Sequence, residues 1–285
     1  MAATPHPSTL WEAQELELEA YMDRIGHHGP REPTLETLRT LQAAHLDAIP
    51  FEGLDPVLGR DVHIDLVSVQ DKLIRRRRGG YCHEHNTLFA AVLDRLGFRV
   101  TGRAARILMG ADEHRIGPVS HSILSVEVDG VDHHVDVGVG NTGPRGPVPL
   151  VEGDQTATGP WVYRMERTDL GHWLLRLRRQ GDWFNVLQFT EEPYYRADYA
   201  VHNFFSSKNP SSPFVRRIVV EHNGSHVRRT LADLKLSAFH PSGERHTQDL
   251  TPEEIPHVLR SVFDLHLPEE HEQALVARAH TLDTQ

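Results

Sequence analysis

The period of the apolar positions changes along this chain, and the changes divide it. Leu88, Phe89, Val92, Leu93 and Leu96 recur at helical spacing, and Gly97 closes that pattern. Upstream, Thr34 stands as a helix cap before Leu35, Leu38 and Leu41, and Ser8 stands likewise before Leu10 and Trp11. From residue 99 to about 199 the period falls to two. Residues 98–109, 121–128, 131–137, 161–166, 173–177 and 183–189 read as strands, with a Gly- and Pro-bearing loop at 138–149. Further on, residues 215–222 and 226–231 read as strands. Helical patterns follow at 255–265, where Pro256 occupies a tolerated first-turn position, and at 267–279. The pattern predicts an α+β chain in three parts: 1–98 helical, 99–200 strand-rich, 201–285 mixed. No internal repeat appears.

The single cysteine, Cys82, sits in Arg78-Gly79-Gly80-Tyr81-Cys82-His83-Glu84-His85-Asn86, where a glycine turn meets the helix just described. A thiol at a helix N-terminus meets unpaired N–H groups and the positive end of the dipole, which favour the thiolate. Such a residue is either an inert buried thiol or a nucleophile, and a nearby base would decide between them. The strand runs at 121–128 and 131–137 flank Asp129-Gly130, the sequence of a tight two-residue turn. That turn pairs Val128 with Val131 and, counting outward, Asp136 with Ile123. His121 and Asp136 then share a face as diagonal neighbours about 7–8 Å apart at Cα, a gap an imidazole and a carboxylate bridge. The carboxylate would fix the tautomer and leave the other ring nitrogen for the thiol proton. The alternative is two polar residues on a solvated sheet face.

Composition narrows the field. At 285 residues the chain can bury a large core. A formal net charge of −10 argues against a nucleic-acid partner. No apolar stretch is long enough to span a membrane, no basic segment followed by an apolar run opens the chain, and one cysteine excludes an intrachain disulfide; a cytoplasmic protein is expected. Only Lys72, Lys208 and Lys235 are lysines among 30 basic residues. The run at 75–78 reads as a solvated helix end with Arg78 turned inward. No metal is expected: His133 and His134 point to opposite faces of a strand, and His83 and His85 lack the spacing that puts two ligands on one helical face. Gly138, Gly140 and Gly143 precede no helical pattern, so they read as a close-approach or flexible loop rather than a dinucleotide site.

The ordered set of motifs resembles the arylamine N-acetyltransferases. It comprises the Arg78–Asn86 run, His121, and Val135-Asp136-Val137-Gly138, with Tyr21-Met22-Asp23-Arg24-Ile25-Gly26, Pro33-Thr34-Leu35-Glu36-Thr37-Leu38 and Ile49-Pro50-Phe51-Glu52-Gly53-Leu54-Asp55 upstream and the segment from Asn203 to Phe214 downstream, about two thirds of the chain. The resemblance implies a helical bundle carrying Cys82, a β-barrel carrying His121 and Asp136, and a C-terminal α/β lid, with a cysteine-protease-like Cys-His-Asp triad. It implies ping-pong acetyl transfer from acetyl-coenzyme A, as co-substrate, through a Cys82 thioester to an aromatic amine or hydrazine, an activity of xenobiotic metabolism. Arg78, Glu84 and Asn86 then look like structural supports. Phe51, Ser120, Val139, Phe205 and Ser211 look like substrate or coenzyme contacts, and Phe204 like core packing. The chain departs from the usual pattern at Gly53, commonly Asn, at His83 and His85, commonly an aromatic and Gln, and at Val139, commonly Phe. Gly53 and Val139 would both widen a pocket, which keeps in view an amide synthase acting on a polyketide acyl chain. A Cys-dependent hydrolase and a non-catalytic binding protein are the remaining alternatives, and a homo-oligomer stays open.

Overall fold

The computed structural model describes residues 10–282. The N-terminal part holds α1 (Leu18–Ile25), α2 (Leu35–Ala48), the two-residue strand β1 (Phe51–Glu52), α3 (Leu54–Val57), α4 (Leu66–Gln70), a π-helical turn (Asp71–Arg75) and α5 (Cys82–Arg95). Thr34 caps α2 by accepting from the Thr37 N–H at 3.2 Å. Gly97 ends α5 in the left-handed region, and the Phe98 N–H donates back to the Leu93 carbonyl. The Ser8 cap lies outside the described residues. The helix expected from Leu10 starts only at Leu18, because Glu12 adopts a left-handed φ of 53° while Trp11 stacks on Tyr199.

Next comes an eight-stranded antiparallel sheet. Its strands are β2 (Arg99–Ile107), β3 (His121–Val128), β4 (Val131–Val135), β5 (Val148–Pro149), β6 (Gln155–Thr158), β7 (Trp161–Arg167), β8 (Trp173–Arg179) and β9 (Asp182–Phe189), in the order β5-β4-β3-β2-β9-β8-β7-β6. A bridge between Glu152 and Met165 draws the segment after β5 onto β7, so the sheet curls into a nearly closed barrel. Ala105, Ile123, Val148, Tyr163, Met165, Leu175, Leu187 and Phe189 fill its interior. The other face of β3 and β4, through Leu124, Val126 and Val135, packs on Leu88, Phe89 and Val92 of α5. The period-two alternation thus serves two cores at once.

The C-terminal part has α6 (Arg196–Lys208), α7 (Pro213–Arg216), β10 (Val219–Asn223), β11 (Arg228–Ala232), β12 (Lys235–Phe239), β13 (Arg245–Asp249), α8 (Ile255–Phe263) and α9 (Glu269–Leu282). Its sheet runs β1-β10-β11-β12-β13, so a strand from the N-terminal part edges it. The strand expected from residue 215 begins at Val219, because Ser212 caps a short helix that Pro213 starts. β12 and β13 were not anticipated, and β13 is an exposed polar edge strand that exists only through its pairing. Phe204 is 71% exposed on α6, not in the core.

The β3–β4 hairpin has the register derived from the sequence, with Val128 opposite Val131 and Leu124 opposite Val135. Asp129 and Gly130 both adopt positive φ, 53° and 78°, as the twist of the strands requires. A Cβ at Gly130 would meet nothing within 4 Å. Gly130→Ala should therefore isolate the backbone cost and destabilise the fold by about 1–2 kcal/mol, read as a lower urea midpoint at unchanged slope; an unchanged midpoint would contradict the turn assignment.

Candidate active site

Three elements bring the site together. α5 places Cys82 in its first turn, β3 opens with His121, and the chain leaving β4 carries Asp136. The thiol is 3% exposed and Asp136 1% exposed, so the group is enclosed. His121 Nε2 donates to Asp136 Oδ2 at 2.7 Å, and Cys82 is among the groups that hold the imidazole's pKa up. Asp136 Oδ1 accepts from the Gly138 N–H at 2.8 Å and from Asn86 Nδ2 at 3.0 Å. Asn86 also donates to the Ser122 carbonyl at 2.7 Å and accepts from the Val137 N–H, so one side chain of α5 clamps both hairpin strands. Gly138 lies against the backbone of Cys82: a Cβ there would come within 2.6 Å of the Cys82 Cα.

The electrostatics follow from this burial. Desolvation alone would push the Cys82 thiol up, but the charge of His83 and the hydrogen bond and charge of His121 bring it well below its ordinary value. Burial would lower His121, yet Asp136 and Cys82 hold it up at about 10. Asp136 is opposed by burial and kept low by His121, with Asn86 adding to it. All three directions favour thiolate, imidazolium and carboxylate over the neutral pair. Such a sulfur attacks carbonyl carbon, and such an imidazole carries the proton between partners.

Below α5 lies a second buried charged group. Lys72 Nζ reaches Asp55 at 2.6 Å and Glu84 at 2.7 Å, while Arg78 reaches Glu52 at 2.6 Å and Asp55 at 3.4 Å. Glu84 Oε2 also accepts the Tyr81 N–H at 3.0 Å, closing the helix start. Three carboxylates face two cations. Burial pushes Glu84 up to about 7 against the pull of Lys72, whereas Lys72 and Arg78 bring Asp55 down to about 2 despite its burial. Arg78 and Glu84 thus tie the loop before Cys82 to Glu52, Asp55 and Lys72, partners not expected from the sequence. A third buried system fixes the same helix. Tyr21 meets His45 Nδ1 at 2.9 Å, His45 Nε2 meets His85 Nδ1 at 2.8 Å, and His85 Nε2 meets the Pro50 carbonyl at 3.2 Å. Burial holds both imidazoles neutral, His85 at about 4.

The expected contact residues are spread more widely. Phe51 is buried, stacked on His85 and packed against Phe214. Ser120 precedes His121, and its N–H donates to Ala105. Phe205 is half-buried on α6, the helix tied to the nucleophile loop by the Tyr81 hydroxyl donating to Asn203. Ser211 is exposed, its N–H and hydroxyl both committed to Asn209. Of the two departures expected to open a pocket, the space at Gly53 is filled: a Cβ there would come within 2.8 Å of the Phe214 ring. Val139 packs into the barrel core with a methyl in the space a side chain at Gly143 would take. The loop that follows Asp136 is held by Glu221 accepting the Asn141 N–H and by Tyr163, Asn223 and Arg228 converging on the Gly143 carbonyl.

Removing the ammonium from the charged group leaves three buried carboxylates with one cation. Lys72→Met should destabilise the protein by about 3–5 kcal/mol in denaturant unfolding; a loss below about 1 kcal/mol would mean that solvent already screens the group.

Comparison with known proteins agrees with this geometry. The N-acetyltransferase family model matches residues 34–272. An arylamine N-acetyltransferase of Mycolicibacterium smegmatis is 38% identical over 232 residues, covering 80% of this chain and 84% of its own length. One from Escherichia coli (strain K12) is 32% identical over 203 residues, covering 71% and 72%. The crystal structure of the Nocardia farcinica arylamine N-acetyltransferase superposes with a TM-score of 0.90 at 41% identity, covering 96% of this chain and 98% of that one. The Mycobacterium marinum arylamine N-acetyltransferase in complex with CoA gives 0.85 at 31% identity, covering 93% and 99%. A likeness this extensive, on a chain whose helix start and hairpin converge on one buried thiol, places it in the arylamine N-acetyltransferase family.

Proposed function

We propose that this acyltransferase moves an acetyl group from acetyl-coenzyme A to an aromatic amine or hydrazine through a thioester on Cys82. The observation that carries the reading is the single buried cysteine at a helix start, its thiol pulled down by an imidazole that Asp136 anchors at 2.7 Å. In the first half-reaction the thiolate attacks the acetyl carbonyl. The carbon–sulfur bond to the coenzyme breaks, and the coenzyme thiolate leaves with the proton held by His121. In the second, the amine attacks the acetyl-Cys82 carbonyl and gives its proton to the now neutral His121, and the Cys82 thiolate leaves. Asp136 keeps the imidazole in one tautomer and orientation through both steps. Arg78, Glu84 and Asn86 support the loop and touch no reacting atom. Phe51, Ser120, Val139, Phe205 and Ser211 are the proposed substrate and coenzyme contacts. The wider pocket that motivated an amide synthase loses its basis at Gly53, whose space the Phe214 ring occupies.

Intact-mass measurement after mixing with acetyl-coenzyme A alone should show one acetyl group added to the protein and none added to Cys82→Ala. A Cys82→Ala protein that turns over normally would end the thioester reading, and rapid donor cleavage without amine would indicate a hydrolase.

Asp136→Asn should keep the fold and lose about 10⁴-fold in acetyl transfer, by analogy with the loss when a serine-protease triad aspartate is amidated. Asp132 shares the strand but is exposed and pairs with Glu127, at the turn end of the hairpin away from His121. Asp132→Asn should leave turnover within about twofold of native, since surface changes of this kind are nearly neutral. Equal losses in steady-state assays of the two variants would contradict the assigned triad.

A further inference from the structure

β13 (Arg245–Asp249) closes the C-terminal sheet on one side, and all five of its residues are exposed. No strand among the described residues pairs with its outer edge. The direction of its free backbone groups follows from two hydrogen bonds. The Leu250 N–H donates to the Leu234 carbonyl at 2.8 Å, and the His240 N–H donates to the Glu244 carbonyl at 2.9 Å. Bonded and non-bonded pairs alternate along an antiparallel ladder. His246 and Gln248 therefore turn their N–H and C=O toward β12, while Arg245, Thr247 and Asp249 turn theirs outward. The side chains of those three outward residues share one face with Lys235, Ser237 and Phe239, which stand opposite them on β12. On that face Lys235 Nζ lies 3.1 Å from Asp249, and Arg245 sits over the Phe239 ring, 5.0 Å from its centre. Arg245 also donates to Ser237 Oγ at 3.3 Å. The rim thus presents a cation, a hydroxyl and an anion in order, with both charges already held at the sheet face.

An exposed edge strand invites another chain, and charged side chains usually turn strangers away. This edge differs in one respect: its two charges are opposite in sign and lie symmetrically about Thr247. We propose that β13 is a self-association edge, on which a second copy of this chain docks its own β13 antiparallel, about a twofold axis between the two copies of Thr247. In that register Thr247 faces the partner's Thr247, and Arg245 faces the partner's Asp249 at both ends. Every outward N–H and C=O of the strand then finds a partner, and the two cross-strand ion pairs lie on one sheet face. Each Asp249 sits between Lys235 of its own chain and the partner's Arg245. A slip by two residues sets arginine or aspartate against threonine, and a slip by four sets like charges together, so the charges select one register. The twofold axis closes the assembly at two copies instead of opening a fibre. β1 lies at the opposite edge of the sheet, so both nucleophile loops stay at the outer ends of the joined sheet. A contact one strand wide is small, and the dimer is accordingly a weak one that forms with concentration.

Sedimentation velocity of the full chain from about 1 μM to about 1 mM, the span of weak contacts, should show monomer converting to dimer with no larger species. Arg245→Asp sets acidic side chains against each other across the axis, and Asp249→Arg sets basic ones. Each variant alone should associate at least about tenfold more weakly than the native chain. Mixed in equal amounts, the two variants are complementary at both ion pairs and should recover most of the native association. Thr247→Pro removes an outward N–H that the chain's own sheet does not use. It should keep the fold by circular dichroism and abolish the dimer. A native chain that stays monomeric over the whole range would overturn the proposal. So would a dimer that none of the three substitutions weakens, or a mixture of the two reversals no more associated than its components. Should Thr247→Pro fail to fold, the two reversals decide alone, since both change exposed side chains.

Discussion

Everything at this site hangs on one buried carboxylate. Asp136 lies at the seam between helix and barrel, where an unpaired anion would cost several kcal/mol. It is matched by the imidazolium of His121, the amide of Asn86 and the N–H of Gly138. Those three partners come from β3, from α5 and from the chain leaving β4, so satisfying one charge also locks two layers in register. Gly138 completes the lock by letting the loop backbone rest on Cys82. Asp136 is therefore a fastener of the fold and, in the proposed mechanism, the fixed charge that favours a protonated His121 and an ionised thiol.

The nucleophile helix is gripped on its other sides by groups of different character. Lys72, Arg78, Glu52, Asp55 and Glu84 bind its first turn to β1, α3 and the π-helical turn. The neutral relay from Tyr21 through His45 and His85 to the Pro50 carbonyl ties it to α1, α2 and the segment leading into β1. One network is charged and the other held neutral by burial, and both end near Cys82. Their combined effect is that the sulfur has little freedom to move, which is what the proposed mechanism asks of a group that attacks the donor and then leaves toward the amine from one position.

Much of this was legible in the sequence wherever local rules decide the outcome. The Asp129-Gly130 turn sets the hairpin register, and the register alone brings His121 and Asp136 within reach. The helix from Cys82 and its glycine stop follow from apolar spacing. What escaped depends on packing between distant segments. The polar edge strand β13 has no alternation to betray it, and its pairing with β12 is its only cause. Lys72 reads as part of a basic run until the π-helical turn carries it inward to three carboxylates. Gly53 looks like a widened pocket because the sequence does not show Phe214 arriving from α7 to fill it. Phe204, apolar in the chain, ends on the outer face of α6, since Tyr199, Ser206 and Ser207 are the positions that helix buries.

The central claim is about where one proton resides: on His121 rather than on Cys82. Neutron diffraction from a deuterium-exchanged crystal grown at neutral pH places that proton directly. The account predicts deuterium on both ring nitrogens of His121, one directed at Asp136 and the other at the sulfur, and none on Cys82 Sγ. Deuterium on Sγ with a singly protonated His121 would contradict it.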